Sequence, residues 1–140
     1  MGSVFTGTRG RKAVLAPLGV ALVAGAAFAY VGLVDPNRPG HYPACPFLAL
    51  TGWYCPGCGG LRAAHALAHL DPVAALGLNP LIVLAVPVLA YFWTRWLVAG
   101  WRGRPWRPPA PRPLLIWSLL ALILVFWVVR NLPFGAFLAP

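Results

Sequence analysis

The chain has 140 residues, enough for one domain, of which 60% are hydrophobic and only 9% are charged. Soluble domains carry about 25% charged residues, so this composition excludes an ordinary soluble protein. The net charge is +9, but the basic residues flank long apolar runs, which indicates membrane topology rather than nucleic-acid binding. The abundance of Arg, Ala, Gly and Pro is typical of a protein from a GC-rich bacterial genome, and we therefore expect a multi-pass protein of the bacterial cytoplasmic (inner) membrane.

The first apolar run, residues 13–34, contains no charged residue and is long enough to cross a bilayer as a helix. Three basic residues lie just before it within residues 9–12, and the Ala-Phe-Ala triplet at 27–29 resembles a signal-peptidase site. Because the apolar character continues beyond a usual signal peptide, we expect a retained membrane anchor, while cleavage as a signal peptide stays open.

The loop after this run, residues 35–79, begins with turn-forming residues and ends with two helix-start signals. A Cys-Pro-Gly-Cys-Gly-Gly turn in its middle predicts a helix that begins near Cys58 and ends by Leu70. Asp71 and Asn79 each precede a proline, and a capping side chain before proline is typical of a helix N-terminus. We therefore predict helix capping by Asp71 and by Asn79.

Two further spans are predicted at residues 80–99 and 113–132, joined by a basic, Pro-rich loop at residues 100–112. The positive-inside rule places this loop and the N-terminus in the cytoplasm, and hence residues 35–79 on the outer side. The predicted fold is a single all-α integral membrane domain, residues 1–140, with three transmembrane helices. A short amphipathic or interfacial helix lies in the outward loop.

The outward loop holds every cysteine of the chain: Cys45, Cys55 and Cys58. Disulfides persist outside the cytoplasm, so a bond from Cys45 to either partner would staple the loop to the following helix. Such a closed loop of ten to fourteen residues is worth about 3 kcal/mol in the chain-entropy estimate. One thiol would then be left over, because the number of cysteines is odd.

A metal site is the second hypothesis for the same residues. Thiolates around zinc lie within about 4 Å of one another, a distance that Cys55 and Cys58 can satisfy. Cys45 is the candidate third ligand and His41 the candidate fourth, with zinc or copper as the ion. His65 and His69 lie on one helix face with Cys58, but His65 is about 10 Å further along the helix and cannot easily share that metal.

Thiol redox chemistry is the third hypothesis. A Cys-x-x-Cys pair at a helix N-terminus can have a lowered thiol pKa, because the helix dipole and a nearby positive charge stabilise the thiolate. Arg62, one turn after Cys58, would supply that charge, and Cys58 would be the thiol with the depressed pKa. Cys45 would serve as the third thiol of a relay.

The loop resembles one known family, the DUF2752 family of small bacterial membrane proteins. The resemblance covers about residues 35–85 and includes neither His65 nor His69. It implies a polytopic membrane protein and supplies no activity. The elements that carry it are Cys45-Pro46, Thr51-Gly52, the Cys55-Pro-Gly57-Cys58-Gly59 turn, Arg62 and Asn79-Pro80.

Together these patterns predict a small membrane protein that contacts the lipid bilayer, with a non-enzymatic accessory or partner-binding role and a disulfide-stapled outward loop. A membrane protein or a second copy of the chain would be the partner, and nucleic acid is not expected. The alternative is a redox-active or zinc- or copper-binding protein that acts through its three cysteines. Gly57, Gly59 and Arg62 are the residues expected beside the thiols, and no catalytic residue is predicted.

Overall fold

The computed structural model describes residues 7–38, 40–104, 106–108 and 110–140, with the side chains described from residue 13 onward. All regular secondary structure in these ranges is helical, so the predicted all-α membrane fold is confirmed. The elements are α1 (Gly7–Leu33), α2 (Pro46–Thr51), α3 (Gly60–Ala68), α4 (Pro72–Leu78), α5 (Pro80–Trp101), α6 (Pro113–Arg130) and a short 3-10 helix (Pro133–Leu138).

Three of these helices are long and apolar enough to cross a membrane, over Ala13–Leu33, Pro80–Trp101 and Pro113–Arg130. Their side chains are mostly exposed, and Leu22 for example leaves 75% of its surface uncovered. These apolar surfaces are suited to contact with lipid, because the exposure of so large an apolar area to water is unfavourable. The third span ends at Arg130, and the chain then turns into the 3-10 helix.

The chain divides into two compact units, each containing parts of α1 and α5. The first comprises Met1–Ala27 and Val86–Ala110, and the second comprises Phe28–Ala85 and Pro111–Pro140. In the first unit the indole Nε1 of Trp93 donates a hydrogen bond of 2.9 Å to the Pro17 carbonyl. A Cβ on Gly100 would lie 2.9 Å from the Ala13 carbonyl oxygen, so glycine at this position lets α1 and α5 approach closely.

The second unit contains the loop of residues 35–79, in which α3 and α4 pack as a short helical hairpin. Helix α3 ends at a left-handed residue, Leu70, with φ of 59°. The N–H of Asp71 bonds the Ala66 carbonyl at 2.9 Å and the N–H of Leu70 bonds the Leu67 carbonyl at 3.0 Å. This pair of bonds is a Schellman motif, which usually uses glycine where Leu70 stands.

Helices α4 and α5 begin at the two predicted caps. The Asp71 carboxylate accepts a hydrogen bond of 2.9 Å from the Ala74 N–H, and Oδ1 of Asn79 accepts one of 3.3 Å from the Ile82 N–H. Proline follows each cap, where its missing N–H costs nothing. These starts bring the beginning of α5 next to the cysteine turn.

Candidate metal centre

The three cysteine sulfurs form one cluster in the second unit. Cys45 lies at the start of α2, and the left-handed Gly52 after α2 turns the chain back toward Cys55 and Cys58. The Sγ atoms of Cys55 and Cys58 are 3.1 Å apart, those of Cys45 and Cys55 are 3.7 Å apart, and all three lie within 4.8 Å. All three are free thiols, so the predicted disulfide is not present in this structure.

The separations of the sulfurs suit a shared metal ion. Zinc–sulfur bonds of about 2.3 Å at tetrahedral angles place the sulfurs about 3.8 Å apart. The separation of Cys45 and Cys55 is close to this value, and the shorter contact of Cys55 with Cys58 lies below it. Small side-chain rotations would therefore bring the three donors to metal-binding distances.

A tight turn before α3 holds Cys55 and Cys58 together. The Cys58 N–H bonds the Cys55 carbonyl at 3.1 Å, and the Cys55 N–H donates to the Cys58 sulfur at 3.3 Å. Gly59 has a φ of +78°. A Cβ there would lie 2.6 Å from the Leu78 carbonyl oxygen and 2.6 Å from Cβ of Pro140. Gly57 is exposed and faces no such contact.

A buried arginine, Arg130, supports the turn. From the sequence alone it is expected only to flank the third span. Arg130 is 1% exposed and points its guanidinium at backbone carbonyls of the turn. Its Nη1 donates to the Cys55 and Pro56 carbonyls at 3.0 and 3.4 Å, and its Nη2 donates to the Cys58 and Leu138 carbonyls at 3.2 and 3.0 Å. The Arg130 side chain thus links α6, the cysteine turn and the 3-10 helix.

Aromatic rings enclose the same guanidinium. Its central carbon lies 4.9 Å from the Phe126 ring centroid and 5.9 Å from that of Tyr54, which are cation–π distances. No carboxylate within the described residues pairs with Arg130, and its Nε is buried without a hydrogen-bond partner there. The charge of Arg130 is therefore solvated by carbonyl dipoles and aromatic rings alone.

Two asparagines complete the support of the turn. Asn79 is fully buried, and its Nδ2 donates to the Pro56 and Cys58 carbonyls at 3.0 Å each. Asn131 pairs with both backbone groups of Tyr54, accepting from its N–H at 2.8 Å and donating to its carbonyl at 2.9 Å. The cap predicted for Asn79 is thus only part of what this side chain does.

The local surroundings shift two of the thiol pKa values in opposite directions. Burial is the main factor that raises the pKa of Cys58 to about 12. The pKa of Cys45 is lowered, chiefly by the backbone N–H of Leu48 in the first turn of α2. The depressed pKa that the redox hypothesis expected at Cys58 is therefore wrong, because burial outweighs the helix terminus there.

The histidines lie apart from this cluster. His41 is exposed, and the cluster of candidate metal ligands in the described part of the chain contains only the cysteines. Nδ1 of His65 lies 2.8 Å from the Val31 carbonyl at the end of α1, and its Nε2 is 3.9 Å from the Asp35 carboxylate. His69 stacks on His65 with ring centroids 4.3 Å apart. These contacts connect α3 to the end of α1 rather than to the thiols.

An open cavity of about 700 Å³ adjoins the cysteines. Arg62, which is half-buried, lies at this cavity together with Gly57 and Gly59, so the structure brings the predicted motif residues together. The side chains that matter for the chemistry of the cavity are Cys45, Cys55, Cys58, Arg38, Arg62 and Tyr42.

Comparison with known families agrees with the resemblance seen in the sequence. A family model described as "Protein of unknown function (DUF2752)" matches residues 45–93. The match supports the family resemblance predicted from the sequence over these residues. No curated protein matches, and no solved structure matches.

The DUF2752 match contains the three cysteines, Arg62 and Asn79, but it ends before α6. Arg130 and Asn131 therefore lie outside the matched segment although they contact the cysteine turn directly. One sequence signal could have found them, because this polar pair ends an otherwise apolar span on the side where the positive-inside rule predicts the cysteine loop.

Proposed function

We propose that this protein is a membrane-anchored metal-binding protein that holds one zinc ion through Cys45, Cys55 and Cys58. The observation that carries the proposal is the placement of three free thiol sulfurs within 4.8 Å of one another. Thiolates are the ligands that select zinc or copper(I) among common biological metals. Zinc is the first choice because of the charge of the surroundings.

The buried charge of Arg130 supports zinc. Buried charges in proteins are normally paired, yet Arg130 has no acidic partner within the described residues. Three thiolates around Zn²⁺ leave one net negative charge, which the adjacent guanidinium would balance. Copper(I) on the same three thiolates would leave two negative charges and a poorer balance.

The hydrogen bonds of the turn also support a metal site. Arg130 and Asn79 bond the carbonyls of Cys55, Pro56 and Cys58, so the backbone that carries two of the ligands is fixed before an ion binds. Such groups behind the ligands orient them and commonly raise metal affinity about 10–100-fold.

Elemental analysis of the full-length protein, purified in detergent under reducing conditions and loaded with zinc, tests the proposal. We expect about one zinc per chain, and a loss of almost all of it when Cys55 and Cys58 are both replaced by serine. Replacing His65 and His69 with alanine is the matched control and should leave the zinc content unchanged. A wild-type protein that stays free of metal would refute the proposal, and tighter binding of copper(I) would refute the choice of zinc.

A thiol-redox role is the second candidate, because the 3.1 Å contact of Cys55 with Cys58 would let the pair oxidise to a disulfide. The pair would pass two electrons and two protons to an exogenous disulfide. A stable disulfide from Cys45 to Cys55 or Cys58 would instead give the structural role expected of an accessory protein. Intact mass after alkylation, with and without reductant, distinguishes either disulfide from three free thiols. Two thiols that react only after reduction would exclude the three-thiolate site.

We also propose that the metal centre faces the outer side of a bacterial cytoplasmic membrane. The concentration of arginine in residues 100–112 supports this orientation through the positive-inside rule. In a variant without native cysteines, Thr51→Cys should react with a membrane-impermeant maleimide in intact cells. Ala110→Cys should react only after permeabilisation, and the reverse pattern would invert the topology.

A further inference from the structure

The three cysteines leave the coordination of zinc incomplete. Zinc sites in proteins are almost always four-coordinate, and structural sites fill all four positions with protein side chains. The cluster of candidate ligands in the described ranges ends at Cys45, Cys55 and Cys58. A fourth ligand must therefore come from outside this cluster.

The open position faces the cavity. All three cysteines line one cavity of about 700 Å³, a size that admits a small molecule. Arg130 and Asn79 do not line this cavity, and they bond the backbone carbonyls of the turn. A ligand can therefore approach the thiols from the cavity.

The charge of the cavity indicates what kind of ligand fits. Arg38 and Arg62 both line it, and no acidic side chain does among the described residues. Arg38 lies 3.9 Å from Asp35 and its side chain is 78% exposed, so this pairing neutralises its charge only weakly. Arg62 forms no salt bridge within the described part of the chain. A cavity lined by two arginine side chains and by no acidic side chain attracts anions.

We propose that this cavity admits a small anionic ligand, carrying a carboxylate or a thiolate, that completes the coordination of zinc and exchanges the ion with the three cysteines. The inference rests on the proposed metal site and adds that the site is an exchange site rather than a structural one. In the release step the zinc–sulfur bonds break as bonds from zinc to the incoming donor form. The freed thiolates then take up protons from water, and no oxidation or reduction occurs.

The rate of zinc removal from the loaded, full-length protein tests this inference. Nitrilotriacetate, which carries carboxylates, is compared with a neutral pyridyl-amine chelator. Replacing Arg38 and Arg62 with glutamine should slow removal by nitrilotriacetate about tenfold or more at low salt and leave removal by the neutral chelator nearly unchanged. Lysine at both positions should restore the rate of zinc removal by nitrilotriacetate.

The control variant replaces Arg102 and Arg107 with glutamine, because it loses the same net charge at positions that do not line the cavity. Its rates should equal those of the wild type. If the Arg38 and Arg62 substitutions slow zinc removal by both chelators to the same extent, or by neither, the exchange site is overturned while zinc binding stands. A wild-type protein that never binds zinc would instead overturn the proposed function itself.

Discussion

Replacing Arg130 with methionine is expected to lower the free energy of unfolding by about 1–3 kcal/mol and to weaken zinc binding about 10–100-fold. Methionine keeps an unbranched apolar side chain but removes every donor. Four backbone carbonyls then lose the guanidinium. Those of Pro56 and Cys58 keep the Asn79 amide and that of Cys55 keeps the Cys58 N–H, so among these bonds only the Leu138 carbonyl loses its donor. Each buried carbonyl left unpaired costs about 1–3 kcal/mol.

Two measurements separate the effects of this change. Denaturant titration in detergent micelles gives the stability of the metal-free chain, and competition with a zinc indicator gives the affinity. Loss of stability alone, with unchanged affinity, would mean that Arg130 is only a structural support and does not balance a metal–thiolate charge. Arg130→Lys should recover part of the affinity, since it keeps the charge but lacks the planar fork that reaches several carbonyls.

Arg95→Met is the matched control, because Arg95 also lies near the end of an apolar span. Its guanidinium is exposed and donates only to the Tyr91 hydroxyl, at 3.0 Å. We expect a change in unfolding free energy within about 0.5 kcal/mol and no effect on zinc. An equal loss in both variants would mean that any arginine at a span end stabilises this protein, independently of the cysteine turn.

The parts of this structure that the sequence predicted are those set by local chemistry. Uninterrupted apolar runs are long enough to span a bilayer only as helices, which fixed the three spans. Asp71 and Asn79 stand before prolines, and helices begin directly after both. The spacing of Cys55 and Cys58 places two thiols at one turn independently of contacts with the rest of the chain.

The parts that the sequence did not predict depend on contacts between distant residues. Arg130 is 75 residues from Cys55, and nothing local separates an arginine that reaches the lipid headgroups from one that turns inward. His65 shared a helix face with Cys58, yet it bonds Val31 because the end of α1 passes beside it. Leu70 occupies a position where glycine would have signalled the helix end.

The scarcity of acidic residues in the chain bears on why Arg130 contacts the cysteine turn. The entire chain has two acidic residues, and neither contacts Arg130. An arginine without an acid would be costly to bury in a purely structural turn, because dipoles alone solvate it incompletely. Beside a thiolate cluster the same arginine would be favourable, so the proposed metal centre would account for the buried charge.

Gly59→Ala is expected to lower the free energy of unfolding by about 2–4 kcal/mol. A φ of +78° costs a residue with a side chain about 1–2 kcal/mol. The added methyl would also meet the Leu78 carbonyl oxygen and Cβ of Pro140 at 2.6 Å, an overlap worth about 1–3 kcal/mol. Denaturant titration of the metal-free chain measures the change.

Gly57→Ala provides the comparison within the same turn. Its added methyl would lie 3.8 Å from the Cys55 sulfur, an ordinary contact, and its φ is not in the left-handed region. We expect a change below about 0.5 kcal/mol there. Because Gly59 directly follows Cys58 and packs against the end of α4, Gly59→Ala should also lower zinc affinity, whereas Gly57→Ala should not. Equal effects at both positions would show that the turn needs flexibility in general, and not the close approach of Gly59 to Leu78.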